Sequence, residues 1–323
     1  MNRSFRFLIP LNIFQLVAIG SFVLLAAGCQ SVANPQTPAE VVTAAGTPSL
    51  SIGCAAGSRL EKIDSGGQIR EYQIHIPPTY RMDQPVALVL GFHGNGGTAG
   101  MFEEYSGLSA LADREGFIMV YPQGMGEIPT WEINAVTDNR DVQFVHDLIA
   151  GVAARCAVDP DRIYATGHSR GGGMANRLAC DLSDRIAAIG PVSGVYPPET
   201  GDCVPPHPVA IIAFHGDADP VVPYNGIGNQ NSPPGAYFTF GIPIPQWASA
   251  WASRNGCSSG PVSILDETRL AGSAWNGCRN DADVVLYTIP GGGHGWPGGE
   301  DSSSGGFNAA QMIWDFFAVH SAG

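Results

Sequence analysis

The chain has 323 residues, a net charge of −13 at pH 7 and a charged fraction of only 14%. This balance argues against a nucleic-acid-binding protein, because phosphate groups are held by lysine and arginine, and it disfavours polyanionic substrates. It is compatible with a neutral partner, such as an ester of a polysaccharide or a polyester. The length is sufficient for one large domain with a sizeable core.

Residues 1–29 have the pattern of an export signal. Two arginines precede a short apolar run over residues 16–28, whereas a membrane-spanning helix needs about 20 apolar residues. The sequence "LLAAGC" resembles the lipobox of bacterial lipoproteins, so Cys29 is the predicted lipidation site, and membrane contact is expected through the lipid alone. Cleavage after Ala33 would instead release a secreted protein. The predicted location is the bacterial cell surface or outer membrane, with the periplasm or the medium as the alternative.

Residues 30–50 are rich in Ala, Pro, Thr and Val and predict a flexible linker, followed by one domain over residues 51–323. Either route of export leaves six cysteines, and an even number in an exported chain predicts disulfides. Many pairings are possible; the short loops favour the pairs Cys257–Cys278 and Cys180–Cys203, which leave Cys54 with Cys156. No C-x-x-C pair occurs, so the cysteines do not indicate a metal site.

The predicted elements begin with two strands. Ile69–Pro77 alternates apolar and polar residues, as a half-buried strand does, and Val86–Gly94 is nearly continuously apolar, as buried parallel strands are. A helix is expected over Met101–Gly116. The later elements are a strand over 117–121, a helix over 141–156, a strand over 161–167, a helix over 169–180, strands over 187–194 and 208–216, a helix over 245–257, a strand over 283–290 and a helix over 307–320. This alternation predicts a single α/β domain with a mostly parallel sheet and helices on both faces.

The pattern G-x-S-x-G occurs twice, around Ser169 and around Ser258. Chance alone would give roughly 0.4 matches in a chain of this composition, so context must decide. Ser169 lies between a predicted strand and a predicted helix, which is the setting of a nucleophile elbow. Ser258 follows a helix, and no predicted strand leads into it. Ser169 is therefore the predicted nucleophile; the side chain of its neighbour His168 is expected to diverge from it.

A serine nucleophile needs a base and an orienting acid. His294 follows a predicted strand late in the chain and sits in a glycine-rich loop, as the order Ser, Asp, His requires. Asp217 and Asp219 both end an earlier buried strand, and the pattern does not separate them. A rival interpretation makes His215, Asp217 and Asp219 ligands of a cation, but no further clustered ligands appear, and no metal is predicted.

Ester cleavage also requires donors for the oxyanion. The segment "GFHGNGG" ends the early buried strand, and the backbone N–H groups of Asn95 and Arg170 are the candidates. A phosphate-binding loop is not indicated, because the G-x-x-x-x-G-K-[ST] pattern is absent, and no cofactor is predicted.

Several aromatic residues are candidates for the substrate pocket. Trp296 lies beside His294, and Tyr224 begins a long loop rich in Pro, Gly and Asn; long loops are often functional. Trp131 and Asp141 are further candidates, although a structural role explains them at least as well.

Five segments occur in the order "FHGNGG", "CAVDPDRIYATGHSRGGGMANRLAC", "FHGDADPVVPYNG", "WASRNGC" and "VVLYTIPGGGHGWPGG". With them the chain resembles, over about residues 72–319, the extracellular α/β-hydrolase esterases of the poly(3-hydroxybutyrate) depolymerase and feruloyl esterase type. The resemblance implies an α/β-hydrolase fold and a triad of Ser169, Asp219 and His294. It selects Asp219 because the family's acid precedes a proline. It also implies oxyanion donors at Asn95 and Arg170. At the position of Arg170, relatives commonly have Asn or Ala.

The expected function is therefore a serine esterase acting on feruloyl or acetyl esters of plant polysaccharide. A polyester depolymerase is the close alternative, and a non-catalytic carbohydrate-binding surface lipoprotein is a more distant one. We expect a monomer.

Overall fold

The computed structural model describes residues 53–198, 203–226, 241–298 and 306–322. The predicted signal segment, Cys29 and the linker lie outside these ranges. The described residues belong to one compact unit, Ser51–Gly323. None of the helices in this part of the chain is long and apolar enough to cross a membrane.

The described residues form one sheet of ten strands. The strands are β1 (Gly57–Ser65), β2 (Gln68–Ile76), β3 (Val86–Phe92), β4 (Ile118–Pro122), β5 (Val158–His168), β6 (Ala188–Val192), β7 (Ala210–Gly216), β8 (Ser259–Glu267), β9 (Leu270–Asn276) and β10 (Val284–Ile289). Their order in the sheet is β1-β2-β4-β3-β5-β6-β7-β10-β9-β8. The strands from β4 to β10 in this order are parallel, whereas β1 and β2 on one side and β9 and β8 on the other are antiparallel.

Helices cover both faces of the sheet. They are α1 (Ala99–Ser106), α2 (Leu108–Glu115), α3 (Arg140–Ala153), α4 (Arg170–Asp181), α5 (Ile244–Asn255) and α6 (Ala309–Phe317). Successive side chains of β3 point to opposite faces: Leu88 and Leu90 pack into the apolar layer with α3, α4 and α5, whereas Val89 packs into the layer with α1, α2 and α6. The predicted α/β fold, with a mostly parallel sheet and helices on both faces, is confirmed.

The structure differs from the predicted elements at one helix and at three strands, of which β1 (Gly57–Ser65) was not predicted. The single helix expected over residues 101–116 is two helices, because Gly107 has φ 70° and ends α1 in the left-handed conformation that glycine adopts readily. The hairpin of β8 and β9 was not predicted. β8 lies at the edge of the sheet with most of its residues exposed, so its sequence lacks the apolar alternation of a half-buried strand.

Three disulfides join Cys54 to Cys156, Cys180 to Cys203 and Cys257 to Cys278. This is the pairing favoured in the sequence analysis, where the short loops between cysteines selected the last two bridges. The second bridge holds the carboxyl end of α4, the helix that Ser169 precedes. Disulfides persist in oxidising compartments, so this domain works outside the cytosol.

Candidate active site

Ser169 lies at the sharp turn between β5 and α4. Its φ of 57° and ψ of −121° are unusual for a residue with a side chain, and such conformations are retained where the surroundings enforce them. Here the Ser169 N–H donates to the carbonyl of Val192 at 2.9 Å, and the Ser169 carbonyl accepts from the N–H of Gly173 at 3.1 Å. The turn is therefore locked between strand β6 and its own helix.

The two glycines that flank this turn are required by close backbone packing. A Cβ atom on Gly167 would lie 2.5 Å from the backbone of Gly171, and a Cβ atom on Gly171 would lie 2.6 Å from the carbonyl oxygen of His93. Neither distance is possible for a real side chain, because both contacts are with backbone atoms. The G-x-S-x-G pattern around Ser169 is thus a steric consequence of packing the turn against the end of β3.

His294 and Asp219 form a hydrogen-bonded pair. His294 Nδ1 lies 2.7 Å from Asp219 Oδ2, and the other carboxylate oxygen accepts the backbone N–H groups of Val221 and Val222 at 2.8 and 2.9 Å. The Asp219 side chain is fully buried, whereas that of His294 is 15% exposed. Burial raises the pKa of Asp219, but the hydrogen bond and charge of His294, together with the Val222 N–H, outweigh it and leave the pKa below its ordinary value. The carboxylate is thus held ionised against the imidazole.

Asp217 has a different role. It is exposed, and its Oδ1 accepts the backbone N–H of Gly291 at 2.7 Å. It therefore ties the start of the His294 loop to the end of β7, and the structure brings Asp219 rather than Asp217 to the imidazole.

The loop that carries His294 rests beside the turn at Ser169. The rings of His294 and His168 lie 4.9 Å apart at 34°, and the Ser193 hydroxyl donates to the carbonyl of Gly295 at 3.3 Å. Within the described ranges no hydrogen bond joins the Ser169 hydroxyl to His294; such bonds are often long before substrate is present. The Nδ1 atom of His294 is taken by Asp219, so Nε2 is the atom left to exchange a proton.

The segment after β3 approaches the same turn. A Cβ atom on Gly94 would lie 3.4 Å from Ser169 Cβ. The N–H of Asn95 donates to no described residue, and the N–H of Arg170 lies in the first turn of α4, where no intrahelical acceptor exists. Neither N–H therefore has a hydrogen-bond acceptor among the described residues, and both predicted oxyanion donors lie in segments that adjoin Ser169.

His93 fixes this segment, and the sequence analysis did not assign it a role. Its Nε2 accepts the backbone N–H of Gly124 at 2.9 Å, so its Nδ1 carries the proton and donates to the carbonyl of Gly94 at 2.7 Å. Burial lowers the pKa of His93, which keeps the ring in this neutral form. A polar residue at the end of an apolar strand was the signal that could have identified it.

Trp131 and Trp296, the two tryptophans among the candidates for the substrate pocket, are both buried, and each is hydrogen-bonded to a neighbouring element. Trp131 is 0% exposed, and its Nε1 donates to the carbonyl of His93 at 2.9 Å. Trp296 is 7% exposed, and its Nε1 donates to the carbonyl of Ser106 at 3.1 Å, which ties the His294 loop to the end of α1. A buried indole N–H usually needs such a partner.

Tyr224 is half-buried, so its ring remains a candidate for a pocket wall. Its hydroxyl pairs with that of Thr288 at 2.7 Å, and its ring lies edge-on to His215, 6.0 Å away. The rest of the predicted pocket loop, residues 227–240, lies outside the described residues. Asp141 does not reach the reacting groups: it accepts from Arg70 and from the backbone N–H of Glu132, both at 2.8 Å.

The cation site considered as an alternative is not formed. His215 Nε2 donates to the carbonyl of Val222 at 2.8 Å, and Asp217 is exposed and turned to the Gly291 loop. The described part of the chain contains no group of three His, Cys, Asp or Glu residues that could hold a metal ion.

Comparison with known proteins identifies the family. The family described as esterase PHB depolymerase matches residues 70–236, about half of the chain. The chain belongs to this family. A protein named as an esterase, NocK, from Nocardia uniformis subsp. tsuyamanensis is 32% identical over 84% of this chain and 86% of its own length. Feruloyl esterase B from Piromyces equi is also 32% identical, over 76% of this chain. The predicted enzyme class, an esterase, is confirmed by these relatives.

The feruloyl esterase B is much longer, and this chain spans only 44% of it. Among solved structures, an acetyl xylan esterase from Aspergillus awamori superposes with a TM-score of 0.58 at 16% identity, over 80% of this chain and 99% of that one. At this identity the likeness concerns the fold, and it places the esterase domain among α/β-hydrolase structures.

Proposed function

We propose that this esterase cleaves its substrate through Ser169, His294 and Asp219. The observation that carries the proposal is the hydrogen bond between the buried Asp219 and His294, beside a serine held in a strained strand-to-helix turn. Each part supports one step of acyl transfer: a carboxylate orients the imidazole, the imidazole accepts a proton, and the turn presents a hydroxyl at the end of β5.

The reaction runs in two steps. His294 Nε2 takes the proton of the Ser169 hydroxyl while the oxygen bonds to the ester carbonyl carbon, and the backbone N–H groups of Asn95 and Arg170 bind the oxyanion. The bond to the alcohol then breaks, and the alcohol leaves with the proton from His294. Water repeats the sequence on the acyl-enzyme and releases the acid. Asp219 stays ionised and stabilises the imidazolium formed in each step.

The substrates we propose are feruloyl or acetyl esters of plant polysaccharide. The feruloyl esterase relative at 32% identity and the low fraction of charged residues in the chain support a neutral aromatic or acetyl ester. A hydroxyalkanoate polyester is the second candidate, supported by the family description. Rates on methyl ferulate, acetylated xylan and a hydroxybutyrate oligomer separate the two; a preference for the oligomer would favour the polyester.

The triad is tested by Ser169→Ala with Ser258→Ala as the matched control, because Ser258 occupies the other G-x-S-x-G and is exposed. We expect Ser169→Ala to lose about 10⁴-fold or more in kcat on p-nitrophenyl acetate and Ser258→Ala to remain fully active. Full turnover by Ser169→Ala would refute the assignment. Inactivity of the wild type on every ester, combined with binding to polysaccharide, would favour a carbohydrate-binding protein instead.

We further propose that Cys29 carries a lipid that anchors the enzyme at the bacterial surface, as the "LLAAGC" sequence indicates. Fractionation of cells should find the wild type with membranes and a Cys29→Ser variant free of them. Equal distribution of the two would contradict the anchor.

A further inference from the structure

The side chain of Arg170 bridges the nucleophile turn and a neighbouring loop segment. Arg170 directly follows Ser169, and its Nε donates to the carbonyl of Trp131 at 2.7 Å. Within the described ranges no carboxylate lies within salt-bridge distance of this guanidinium. The hydrogen bond to Trp131 therefore ties this side chain to the neighbouring segment, while the carboxylates of Glu132 and Asp141 act on it from beyond salt-bridge distance.

The segment that Arg170 contacts, residues 129–131, is hydrogen-bonded to the loop after β3, residues 93–97, which we call the oxyanion loop because it contains Asn95. Each of its three residues makes one hydrogen bond to that loop. The bonds are Gly96 N–H to Pro129 O at 2.7 Å, Thr130 Oγ1 to Asn95 Oδ1 at 2.7 Å, and Trp131 Nε1 to His93 O at 2.9 Å. The position of residues 95 and 96 therefore depends on this segment more than on the sheet, because β3 ends at Phe92.

The other end of the segment is anchored independently of the site. The N–H of Glu132 donates to Asp141 at 2.8 Å, and Asp141 is paired with the buried Arg70 at 2.8 Å. Asp141 sits in the first turn of α3. The Thr130 N–H is also bonded to the carbonyl of Met125 at 3.0 Å, and the bond from Arg170 ties the segment so held to the start of α4.

A continuous path of covalent and hydrogen bonds thus connects the two candidate oxyanion donors. It runs from the backbone of Arg170 through its own side chain to Trp131, then through Thr130 to Asn95. Oxyanion donors must lie within about 2.7–3.1 Å of the oxyanion, so a small change in their separation weakens one of the two bonds. Where Asn or Ala stands in place of Arg170, this path is absent.

We propose that the Arg170 side chain is a positioning residue, which sets the spacing of the oxyanion hole between its own N–H and that of Asn95. The inference rests on the proposed function. Complete loss of one oxyanion donor typically costs about 10²–10³ in kcat. Release of the segment displaces a donor without removing it, so we expect a loss of about 10- to 100-fold, with little change in KM because the oxyanion forms only in the transition state.

Two variants of equal side-chain length test the role of the hydrogen bond. Arg170→Met removes the donor, whereas Arg170→Gln replaces the Nε–H with an amide N–H the same number of bonds from Cα. On p-nitrophenyl acetate, Arg170→Met should lose about 10- to 100-fold in kcat, and Arg170→Gln should recover most of it. Equal losses in both would assign the effect to the charge and overturn the proposal, as would unchanged kcat in Arg170→Met.

A transition-state analogue provides a readout that general destabilisation does not move. The Ser169 oxygen bonds to the carbonyl carbon of an aryl trifluoromethyl ketone, the Ser169 hydroxyl proton passes to His294, and the electron pair of the C=O π bond becomes an oxyanion in the hole. Its inhibition constant should rise in Arg170→Met by the factor that kcat falls. An unchanged constant would refute a role in the oxyanion hole.

The path of bonds also predicts that the losses caused by substitutions at two of its residues are not additive. Thr130→Val removes the bond to Asn95, and combined with Arg170→Met it should lose little more than the larger single loss. Losses that multiply would contradict the path. The inference and the proposed function fail separately: activity in Ser169→Ala refutes the triad, whereas full activity in Arg170→Met beside an inactive Ser169→Ala refutes only the positioning role.

Discussion

Replacement of one atom of Asp219 should nearly abolish catalysis without unfolding the protein. In Asp219→Asn the oxygen that accepts the two backbone N–H groups of Val221 and Val222 is kept, and the side-chain volume hardly changes. The oxygen that faces His294 Nδ1 at 2.7 Å becomes an NH₂ group, which cannot accept the Nδ1 proton. The imidazole therefore adopts the other tautomer, in which Nε2 carries the proton and cannot take one from Ser169.

The expected loss follows from this reversal of the tautomer. A wrong tautomer in a catalytic triad lowers kcat by about 10⁴, which corresponds to about 5 kcal/mol of transition-state stabilisation. The measurement is kcat on p-nitrophenyl acetate together with the thermal unfolding midpoint of each variant. Asp217→Asn is the matched control, because the side chain of the exposed Asp217 accepts from the Gly291 N–H rather than from the imidazole, and its kcat should stay within about twofold of the wild type.

Two results would refute this reasoning. One is an Asp219→Asn variant that keeps more than about a tenth of the wild-type kcat, since the tautomer argument requires a far larger loss. The other is an equal loss in Asp217→Asn, which would mean that the whole turn after β7, rather than the bond to His294, supports activity.

Two further predictions concern stability. Burial lowers the pKa of His168 to about 3 and that of His215 to about 4 from an ordinary 6.5, so below about pH 6.5 the unfolded chain binds protons that the folded protein does not. The free energy of unfolding in urea should therefore fall toward pH 4, by up to about 1.4 kcal/mol per pH unit for each histidine. A free energy of unfolding that does not change over this range would contradict the prediction. Gly171→Ala should prevent formation of the native turn, because its Cβ would collide with backbone atoms. Gly100→Ala, at an exposed position of α1 with open space around it, should instead raise the free energy of unfolding by about 0.5–1 kcal/mol. Denaturation of both variants checks the pair, and a stable Gly171→Ala variant would show that the turn can relax.

The parts of the fold and site that local pattern encodes were predictable. Buried parallel strands are continuous apolar runs, so β3 and β4 were located from composition alone. Ser169 was separated from Ser258 because a strand leads into it and a helix leaves it. His294 was identified by its place after a late strand in a loop of glycines. In each case the information lies in residues adjacent in sequence.

The parts that depend on distant residues were not predictable from pattern. β8 forms because β9 pairs with it and β9 pairs with β10, although its own residues are mostly exposed. Trp131 and Trp296 looked equally suited to a pocket wall and to the core, since an indole ring serves in both. Only the fold shows that both are buried, with each indole N–H donating to the carbonyl of a residue far away in the chain.

The sequence by itself determined the chemistry available to this protein: a serine in a strand-to-helix turn, two candidate acids, Asp217 and Asp219, after a later strand, and a late histidine, in the order that an α/β sheet brings to one edge. Only the tertiary structure decided the geometry: the Asp219–His294 bond, and the contact of Arg170 with the segment that holds Asn95. The physical reason is that residue types and spacings are local properties of the chain, whereas a hydrogen bond depends on an angle and a few tenths of an ångström, which the packing of the whole domain sets.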